Sequence, residues 1–372
     1  MSKIIAIEAQ RIFRQRKGGM DVVALEVIRE LQQIDKENQY YIFVAPGPDK
    51  CLQSTPNFAI VEVPGTFYPL WEQFLLVKAL NKIQPHLLHC TSNTAPLLWK
   101  GKMLLTLHDI IFLEQLEGRN SSHYQQMGRI YRRWIVPLLL RRDIPLITVS
   151  NSEKEHIQHA LGIEKSRIRV IYNACSSHFF ARDFHKEPRE QRAIPPQYFL
   201  ALGNSDPRKN MSGLLRAYRI YREHSDNPLP LVITALSPQE LHNYLLQIEA
   251  VDLTPHILLP GFVSWSDLPW WYSGATAFLY VSLREGFGIP ILEAMACGTP
   301  VLTSSISSMP EVAGPQGLLA NPFVPEQIAD WLLRLEKEDA LREMQSAYGL
   351  ERVKQFSWRK AASDLLEMYN SL

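Results

Sequence analysis

The chain has 372 residues, of which 46% are hydrophobic and 21% charged, and its net charge is +1. This length predicts two domains, and the share of apolar residues excludes a disordered or fibrous chain. The apolar stretches fall far short of the roughly 20 residues that a membrane span needs, and so modest a charge predicts no nucleic-acid partner.

The charge is unevenly distributed. Residues 1–190 hold 25 Lys and Arg against 19 Asp and Glu, a net of +6, whereas residues 191–372 hold 14 against 19, a net of −5. Separate partners for the two halves would explain this difference, and so would chance. The four cysteines form neither a zinc-site pattern nor a disulfide framework, so we expect a reducing, cytoplasmic location.

Short strand-like runs alternate with helical patterns in the first half of the chain. The predicted strands are Ile4–Ile7, Tyr40–Val44, Ala59–Val63, Leu87–Cys90, Met103–Leu107, Leu146–Val149 and Ile168–Ile171. The predicted helices are Met20–Ile34, Leu70–Ile83, Tyr124–Arg142 and Glu153–Leu161. Such alternation is typical of a parallel sheet covered by helices.

A polar, proline-rich segment over residues 181–197 interrupts this pattern and is predicted to be a linker between domains. The alternation then restarts with strands at Tyr198–Leu202, Leu231–Thr234, Ile257–Leu259, Ala277–Val281 and Pro300–Thr303. Helices are predicted at Met211–Arg222, Pro238–Ile248 and Pro290–Cys297, and the tail from Pro325 to Leu372 is mostly helical. We therefore predict an α/β protein of two Rossmann-like, doubly wound domains that face a cleft, where ligands bind.

The most informative segment, SLREGFGIPILEAMACGTPVL, runs from a strand end through a loop into a helix. Gly286 and Gly288 let the backbone approach a ligand closely, and the amides at the helix start attract a phosphate. Glu285 and Glu293 place two carboxylates near this anion site. Their charges are electrostatically costly there unless they bind hydroxyls, and sugar hydroxyls are suitable partners. The alternative is a capped helix with solvent-facing glutamates, which would make the whole run a coincidence.

The Glu285-x7-Glu293 pair within EGFGIPILEAMACGTPV resembles the signature of the family 4 retaining glycosyltransferases, which have the GT-B fold. The resemblance implies that Glu285 contacts the donor sugar near its reacting carbon and that Glu293 holds the nucleotide ribose. It also implies that the loop amides of Gly286, Phe287 and Gly288 touch the sugar and the diphosphate.

The segment LGNSDPRKNM resembles the phosphate-clamp segment of this family. Arg208 and Lys209 would balance the charge of a nucleotide diphosphate there. Asn204 stands where the family often has arginine, which shifts the expected phosphate contacts to Arg208 and Lys209. Without the resemblance, this basic pair would equally fit a solvated helix start.

Two motifs of the first half also resemble the family. RKGGM is similar to its Gly-Gly loop, which implies that Gly18 and Gly19 lie close to the diphosphate and the acceptor. TLHDI is similar to its His-Asp element, which implies that His108 bonds a sugar hydroxyl or orders the transition state while Asp109 orients the loop. A plain glycine turn and a structural histidine are the alternatives.

The resemblance, which includes the C-terminal helix, divides the chain into four parts. We expect an N-terminal acceptor-side domain over residues 1–180, a linker over 181–197, a C-terminal nucleotide-sugar-binding domain over 198–355 and a terminal helix over 356–372 that crosses back to the first domain.

The implied function is retaining transfer of a hexose from a nucleoside diphosphate sugar, first GDP-mannose and then a UDP-sugar. The acceptor would be a hydroxyl of a glycan or lipid-linked molecule, in surface-polysaccharide or glycolipid assembly. Arg208, Lys209 and the helix start at residues 288–290 would stabilise the departing diphosphate. Because no Asp-x-Asp motif occurs, we expect no bound metal, and no cofactor is expected.

Residues 129–142 mix five arginines with apolar residues, a pattern that predicts a basic amphipathic helix. Such a helix would rest on an anionic membrane, at its inner face, where lipid-linked acceptors reside. An ordinary domain helix that buries one face is the alternative.

Other functions are less compatible with the sequence. A nicotinamide dehydrogenase would need a G-x-G-x-x-G motif, and a solute-binding protein would need a secretion signal; the sequence carries neither pattern. A non-catalytic nucleotide-sugar-binding subunit would be expected to lack Glu285, Lys209 or His108, which are all present. A sugar phosphorylase or an epimerase on the same fold remains the alternative enzyme.

Overall fold

The computed structural model describes residues 2–114, 123–184, 189 and 193–372. Its described residues form two compact units. The first comprises residues 2–114, 123–173 and Ser357–Leu372, and the second comprises the described part of Ala174–Phe356. Each unit is built on one parallel sheet.

The sheet of the first unit has seven parallel strands in the order β3-β2-β1-β4-β5-β6-β7. They are β1 (Ile4–Glu8), β2 (Gln39–Val44), β3 (Phe58–Glu62), β4 (Leu87–Cys90), β5 (Met103–Thr106), β6 (Leu146–Thr148) and β7 (Ile168–Val170). In the central strand β1, Ile5 pairs with Tyr40 on one side and with Leu87 on the other. The strand order reverses between β1 and β4, so ligands are expected beyond the carboxyl ends of these two strands.

The helices of this unit are α1 (Gly19–Ile34), α2 (Tyr68–Leu70), α3 (Val77–Ile83), α4 (His123–Leu140), α5 (Asn151–Leu161) and the C-terminal α13 (Trp358–Ser371). Ser150 caps α5, since its Oγ accepts a hydrogen bond from the amide of Glu153 at 3.0 Å. The helix predicted over Leu70–Ile83 differs in one respect: Trp71–Leu76 is π-helical. Within that segment two consecutive residues, Trp71 and Glu72, are both fully buried.

The second unit has six parallel strands in the order β10-β9-β8-β11-β12-β13. They are β8 (Phe199–Leu202), β9 (Leu231–Thr234), β10 (Ile257–Leu258), β11 (Ala277–Tyr280), β12 (Val301–Ser304) and β13 (Leu318–Ala320). The sequence predicted five of them and missed β13. The order reverses between β8 and β11, which makes the loops after these strands the expected ligand-binding position.

Its helices are α6 (Met211–His224), α7 (Pro238–Gln247), α8 (Leu268–Gly274), α9 (Ile289–Ala296), α10 (Met309–Ala313), α11 (Pro325–Lys337) and α12 (Asp339–Val353). The predicted doubly wound α/β architecture is therefore confirmed in each unit. Among the described residues, no helix combines the length and apolarity needed to cross a membrane.

Candidate functional site

The loops that follow β8 and β11 lie together in the second unit. The amide of Leu283 donates to the carbonyl of Arg208 at 2.7 Å, which joins the two loops directly. Asn210 adds a second connection, because its side-chain amide donates to the carbonyls of Val281 at 3.1 Å and Pro322 at 2.8 Å. These bonds fix the two segments in which the sequence analysis placed donor-binding residues.

Lys209 and Glu285, which are 76 positions apart in sequence, form an ion pair in this region. The Nζ of Lys209 donates to Oε1 of Glu285 at 2.6 Å and to the hydroxyl of Tyr280 at 3.0 Å. Burial lowers the pKa of the Lys209 amine, but Tyr280 and Glu285 raise the pKa by more, so the amine stays charged. Lys209 ends a 3-10 turn, Pro207–Lys209, that precedes α6. The structure thus holds a partly buried cation at the switch point of the sheet.

Arg208 has a different partner. Its guanidinium forms a two-pronged ion pair with Asp206, at 3.1 Å from Nε to Oδ1 and 2.7 Å from Nη2 to Oδ2. Both side chains are largely buried. A phosphate bound by Arg208 would therefore have to compete with Asp206, as one bound by Lys209 would have to compete with Glu285.

The loop from Glu285 to Gly288 is held from behind by two serines. The carbonyl of Glu285 accepts a hydrogen bond from Ser307 Oγ at 2.8 Å, and the carbonyl of Phe287 accepts one from Ser308 Oγ at 2.8 Å. The ring of Phe287 is buried. Gly288 has a φ of 109°, which favours glycine, and it caps α9 without a side chain. The fixed loop therefore leads into a helix start suited to an anion.

The ring of Phe287 packs against Phe356, with centroids 5.8 Å apart. Only the backbone of Phe287 is thus suited to contact a ligand, as the sequence analysis expected for this loop.

Glu293 lies on α9 and is largely withdrawn from solvent. The hydroxyl of Tyr272 donates to its Oε2 at 3.1 Å. Burial raises the pKa of Glu293 to about 7, and the bond from Tyr272 lowers the pKa only in part. The side chains of Glu285 and Glu293 are both partly withdrawn from solvent. They therefore do not fit the alternative of a capped helix with solvent-facing glutamates.

In the first unit, Gly18 and Gly19 form the start of α1. The amide of Gly18 donates to Oδ2 of Asp21 at 2.9 Å, and Gly18 has a φ of −87°, which any residue adopts. A Cβ added at Gly19 would meet no atom within 4 Å, and one at Gly18 would meet only Asp21, at 3.7 Å. The fold of the unit does not itself require either glycine, so both positions leave room for a close approach to the helix start.

His108 follows β5 and is buried. Its amide donates to Oδ1 of Asn93 at 2.6 Å, and its Nε2 lies 2.9 Å from the carbonyl of Thr91. Because a carbonyl only accepts, this contact assigns the proton to Nε2 and leaves Nδ1 as the acceptor of the neutral ring. Burial lowers the pKa of His108, which keeps the ring neutral. Asp109 Oδ1 accepts from the amide of Ile111 at 3.1 Å and so braces its own loop.

Two buried carboxyls of the first unit, Glu8 and Glu72, were missed by the sequence analysis. Glu8 ends β1 at the switch point, and its Oε1 accepts from the amide of Gln10 at 3.0 Å. Burial, together with a smaller effect of the charge of Glu72, raises the pKa of Glu8 to about 7, although the bond from Gln10 opposes this shift. Within the described ranges, no group of three or more His, Cys, Asp or Glu side chains is placed to hold a metal ion.

Family models match both halves of the chain. Residues 17–179 match the model described as Glycosyltransferase Family 4, and residues 184–352 match the model described as Glycosyl transferases group 1. The chain belongs to the family 4 glycosyltransferases. The resemblance seen in the Glu285-x7-Glu293 signature is thereby confirmed.

Two curated relatives of this chain are named as O-antigen enzymes. O-antigen chain mannosyltransferase B of Escherichia coli is 34% identical over 234 residues, which are 61% of this chain and 60% of the relative. O-antigen chain mannosyltransferase RfbU of Salmonella typhimurium is 28% identical over 256 residues, 68% of this chain and 66% of the relative. The matched stretch thus spans less than two thirds of either relative's length.

Solved structures establish the fold over the whole chain. Sucrose-phosphate synthase from Thermosynechococcus elongatus superposes with a TM-score of 0.76 at 19% identity, covering 99% of this chain and 98% of the other. HepE of Anabaena, solved with UDP and glucose, gives a TM-score of 0.72 at 17% identity and covers both chains completely. The GT-B fold that the resemblance implied is therefore confirmed.

Proposed function

We propose that this protein transfers a hexose from a nucleoside diphosphate sugar to a hydroxyl of a glycan or lipid-linked acceptor in surface-polysaccharide assembly, with retention of the anomeric configuration. The observation that carries the proposal is the Lys209–Glu285 pair, 2.6 Å apart, in the loops at the switch point of the second sheet. GDP-mannose is the first donor candidate, since the O-antigen relatives are named mannosyltransferases. UDP-sugars come second, because the HepE structure contains UDP.

Each part of such a donor has a suitable partner in the second unit. The diphosphate would bind Lys209 and the amides of Gly286–Gly288 at the start of α9, where both charge and dipole favour an anion. Arg208 would also bind the diphosphate, with a phosphate oxygen replacing Asp206 as the partner of its guanidinium. The ribose would bind Glu293, and Glu285 would contact the sugar near its reacting carbon.

The chemical step breaks the bond between the anomeric carbon and a diphosphate oxygen. The acceptor oxygen forms its bond to that carbon on the same face, and its proton passes to the departing phosphate oxygen. Lys209 would stabilise the negative charge on the leaving diphosphate. In the first unit, Nδ1 of His108 would accept a hydrogen bond from a sugar hydroxyl. Gly18 and Gly19 would leave room for a ligand at the start of α1. The proposal invokes neither a metal nor a cofactor.

The test is release of nucleoside diphosphate from GDP-mannose and UDP-glucose, with and without a mannose-terminated oligosaccharide, followed by NMR of the product. We expect acceptor-dependent release and an α-linked product from an α-linked donor. Turnover that requires inorganic phosphate would favour a phosphorylase, and conversion of the donor sugar without an acceptor would favour an epimerase. A β-linked product would contradict retention.

We also infer that α4 contacts an anionic membrane at its inner face. Met127, Ile130, Trp134 and Leu138 recur at helical spacing and are all exposed, which forms an apolar stripe. Two of the arginines are also bonded within this unit, and one of them, Arg133, donates from Nε to the carbonyl of Phe112 at 2.7 Å. Arg129 also bonds carbonyls of that neighbouring segment.

Sedimentation with phosphatidylglycerol vesicles at low salt tests this inference. We expect wild-type protein to bind and Trp134→Glu to bind much less. Phe323→Glu is the matched control, because Phe323 is similarly exposed but lies in the second unit. Equal sedimentation of all three proteins, or none by the wild type, would contradict membrane contact.

A further inference from the structure

Tyr280 is a buried tyrosine whose hydroxyl group reaches the ion pair of Lys209 and Glu285, and the sequence analysis assigned it no role. It is the last residue of β11, and its carbonyl accepts a hydrogen bond from Thr303 Oγ1 at 2.7 Å, which ties it to β12. A Cβ added at Gly288 would lie 3.7 Å from Cε1 of the ring, so the ring also lies against the backbone where α9 begins. The side chain is therefore fixed at the carboxyl end of the strand, beside the expected anion site.

The hydroxyl of Tyr280, rather than its ring, is the part that contacts Lys209. The Nζ of Lys209 lies 3.0 Å from the hydroxyl oxygen but 5.0 Å from the ring centroid. Because an ammonium group only donates, the tyrosine oxygen is the acceptor in this bond, and its own proton is left for another acceptor.

That other acceptor is the carboxylate of Glu285. Burial raises the pKa of the Tyr280 hydroxyl, and the charge of Glu285 and a hydrogen bond between these two side chains raise the pKa as well, against an opposing effect of Lys209. The hydroxyl group therefore keeps its proton. It accepts from one member of the ion pair and donates to the other.

The ion pair itself disfavours donor binding. The Nζ of Lys209 donates to Oε1 of Glu285 at 2.6 Å, and the two side chains are only 23% and 12% exposed. The carboxylate balances the charge that a diphosphate would need, so the bond between the two groups has to open when the ammonium group binds phosphate. Opening it leaves a largely buried carboxylate without its cation, which costs free energy unless another donor remains.

Tyr280 is such a donor. Its proton stays directed at Glu285 while its oxygen still accepts from Lys209, so each charged group keeps one hydrogen bond when the bond between them opens. The ammonium group has three protons, of which Tyr280 takes one, and two remain for phosphate oxygens. A phenylalanine at this position would keep the ring and lose both bonds.

We propose that Tyr280 is a positioning residue for donor binding: its hydroxyl holds Lys209 and Glu285 in place while Lys209 exchanges the carboxylate for a phosphate oxygen. No covalent bond forms or breaks in this step, and each proton stays on the atom that carries it. The proposal rests on the proposed function, because it takes a nucleoside diphosphate as the ligand of Lys209, but it can fail while that function stands.

The test measures the affinity for GDP and UDP by calorimetry in the wild type and in Tyr280→Phe, which keeps the ring that stacks on Phe278. We expect this variant to bind the preferred nucleotide about tenfold more weakly, since hydrogen bonds to two charged groups are lost. Tyr218→Phe is the matched control, because Tyr218 is also buried in the second unit and its hydroxyl donates to the carbonyl of Leu229 at 2.9 Å. It should bind the nucleotide as the wild type does.

Two further measurements separate positioning from a merely structural role. The nucleoside of the preferred base carries no phosphate, so saturation-transfer NMR should show that Tyr280→Phe binds it as the wild type does. In a double-mutant cycle with Glu285→Gln, the loss caused by Tyr280→Phe should shrink to about threefold or less, because without the ion pair the hydroxyl has no exchange to support.

Four results would overturn the proposal and leave the donor site standing. They are equal nucleotide affinity of the wild type and Tyr280→Phe, an equal loss in Tyr218→Phe, a tenfold loss of nucleoside affinity as well, and additive losses in the double-mutant cycle. If the wild type bound neither GDP nor UDP, the donor site and the role of Tyr280 would be refuted together.

Discussion

The two units repeat one doubly wound plan but place different chemistry beside the reversal of strand order. In the second unit, the loops after β8 and β11 hold the ammonium group of Lys209 and a helix start at Gly288. In the first unit, the corresponding position beyond β1 holds the buried carboxyl of Glu8, and Glu72 lies near enough to raise its pKa. A cation and a helix start attract a diphosphate, whereas buried carboxyls disfavour an anion and favour hydroxyls. The same topology thus presents two different side-chain chemistries at one position.

Removing the cation of the second unit should have the largest effect. Lys209→Met is expected to reduce the rate of sugar transfer by about 10²–10³-fold, the usual loss when one preorganised charge partner of a transition state is removed. Initial rates at saturating donor measure it. Lys354→Met is the control, because that lysine is exposed in the same unit. A Lys209→Met protein that folds and turns over at the wild-type rate would refute the role of Lys209.

Replacing Glu8 of the first unit by a neutral residue should increase the free energy of unfolding at high pH. The pKa of Glu8 is about 7 in the folded protein against an ordinary value of 4.5, so stability is lost as pH rises through this range. Glu8→Gln should therefore raise the free energy of unfolding at pH 8 by up to about 3 kcal/mol, and by far less at pH 4. Urea denaturation at both pH values checks this. A Glu8→Gln protein less stable than the wild type at pH 8 would contradict it.

Glu293 sharpens the comparison, because it is a buried carboxyl in the unit for which we propose anion binding. Its pKa of about 7 means that it ionises between pH 6 and 8, and ribose hydroxyls prefer the ionised form as acceptor. The affinity for nucleoside diphosphate should therefore rise about tenfold over this interval relative to Glu293→Gln. Calorimetric titrations of both proteins measure this ratio. Taking the ratio cancels the pH dependence that comes from ionisation of the nucleotide itself. Parallel pH profiles would show that Glu293 does not contact the ribose.

A feature could be predicted from the sequence when the residues that form it lie close together in the chain. Strands such as β8 and β11 are short apolar runs bounded by polar loops, and the Glu285-x7-Glu293 signature lies within one loop and one helix, so both are visible in the sequence. The Arg208–Asp206 pair was also within reach, since the two residues are two positions apart.

The first unit was less predictable because its site depends on contacts between distant segments. Glu72 looks like an ordinary polar position of a helix, yet two of its hydrogen-bond donors, Thr94 and Tyr131, lie 22 and 59 positions away. No local period reveals such contacts.

The central claim is that the second unit binds a nucleoside diphosphate through Lys209 and Glu293. Thermal unfolding with GDP, UDP, ADP and their sugars tests it most directly, since a ligand at about 100 times its Kd adds about 2.7 kcal/mol of stability. We predict that one base stabilises the wild type and that this stabilisation is lost in Lys209→Met and Glu293→Gln. Equal stabilisation of the variants, or no response of the wild type to any nucleotide, would contradict the claim.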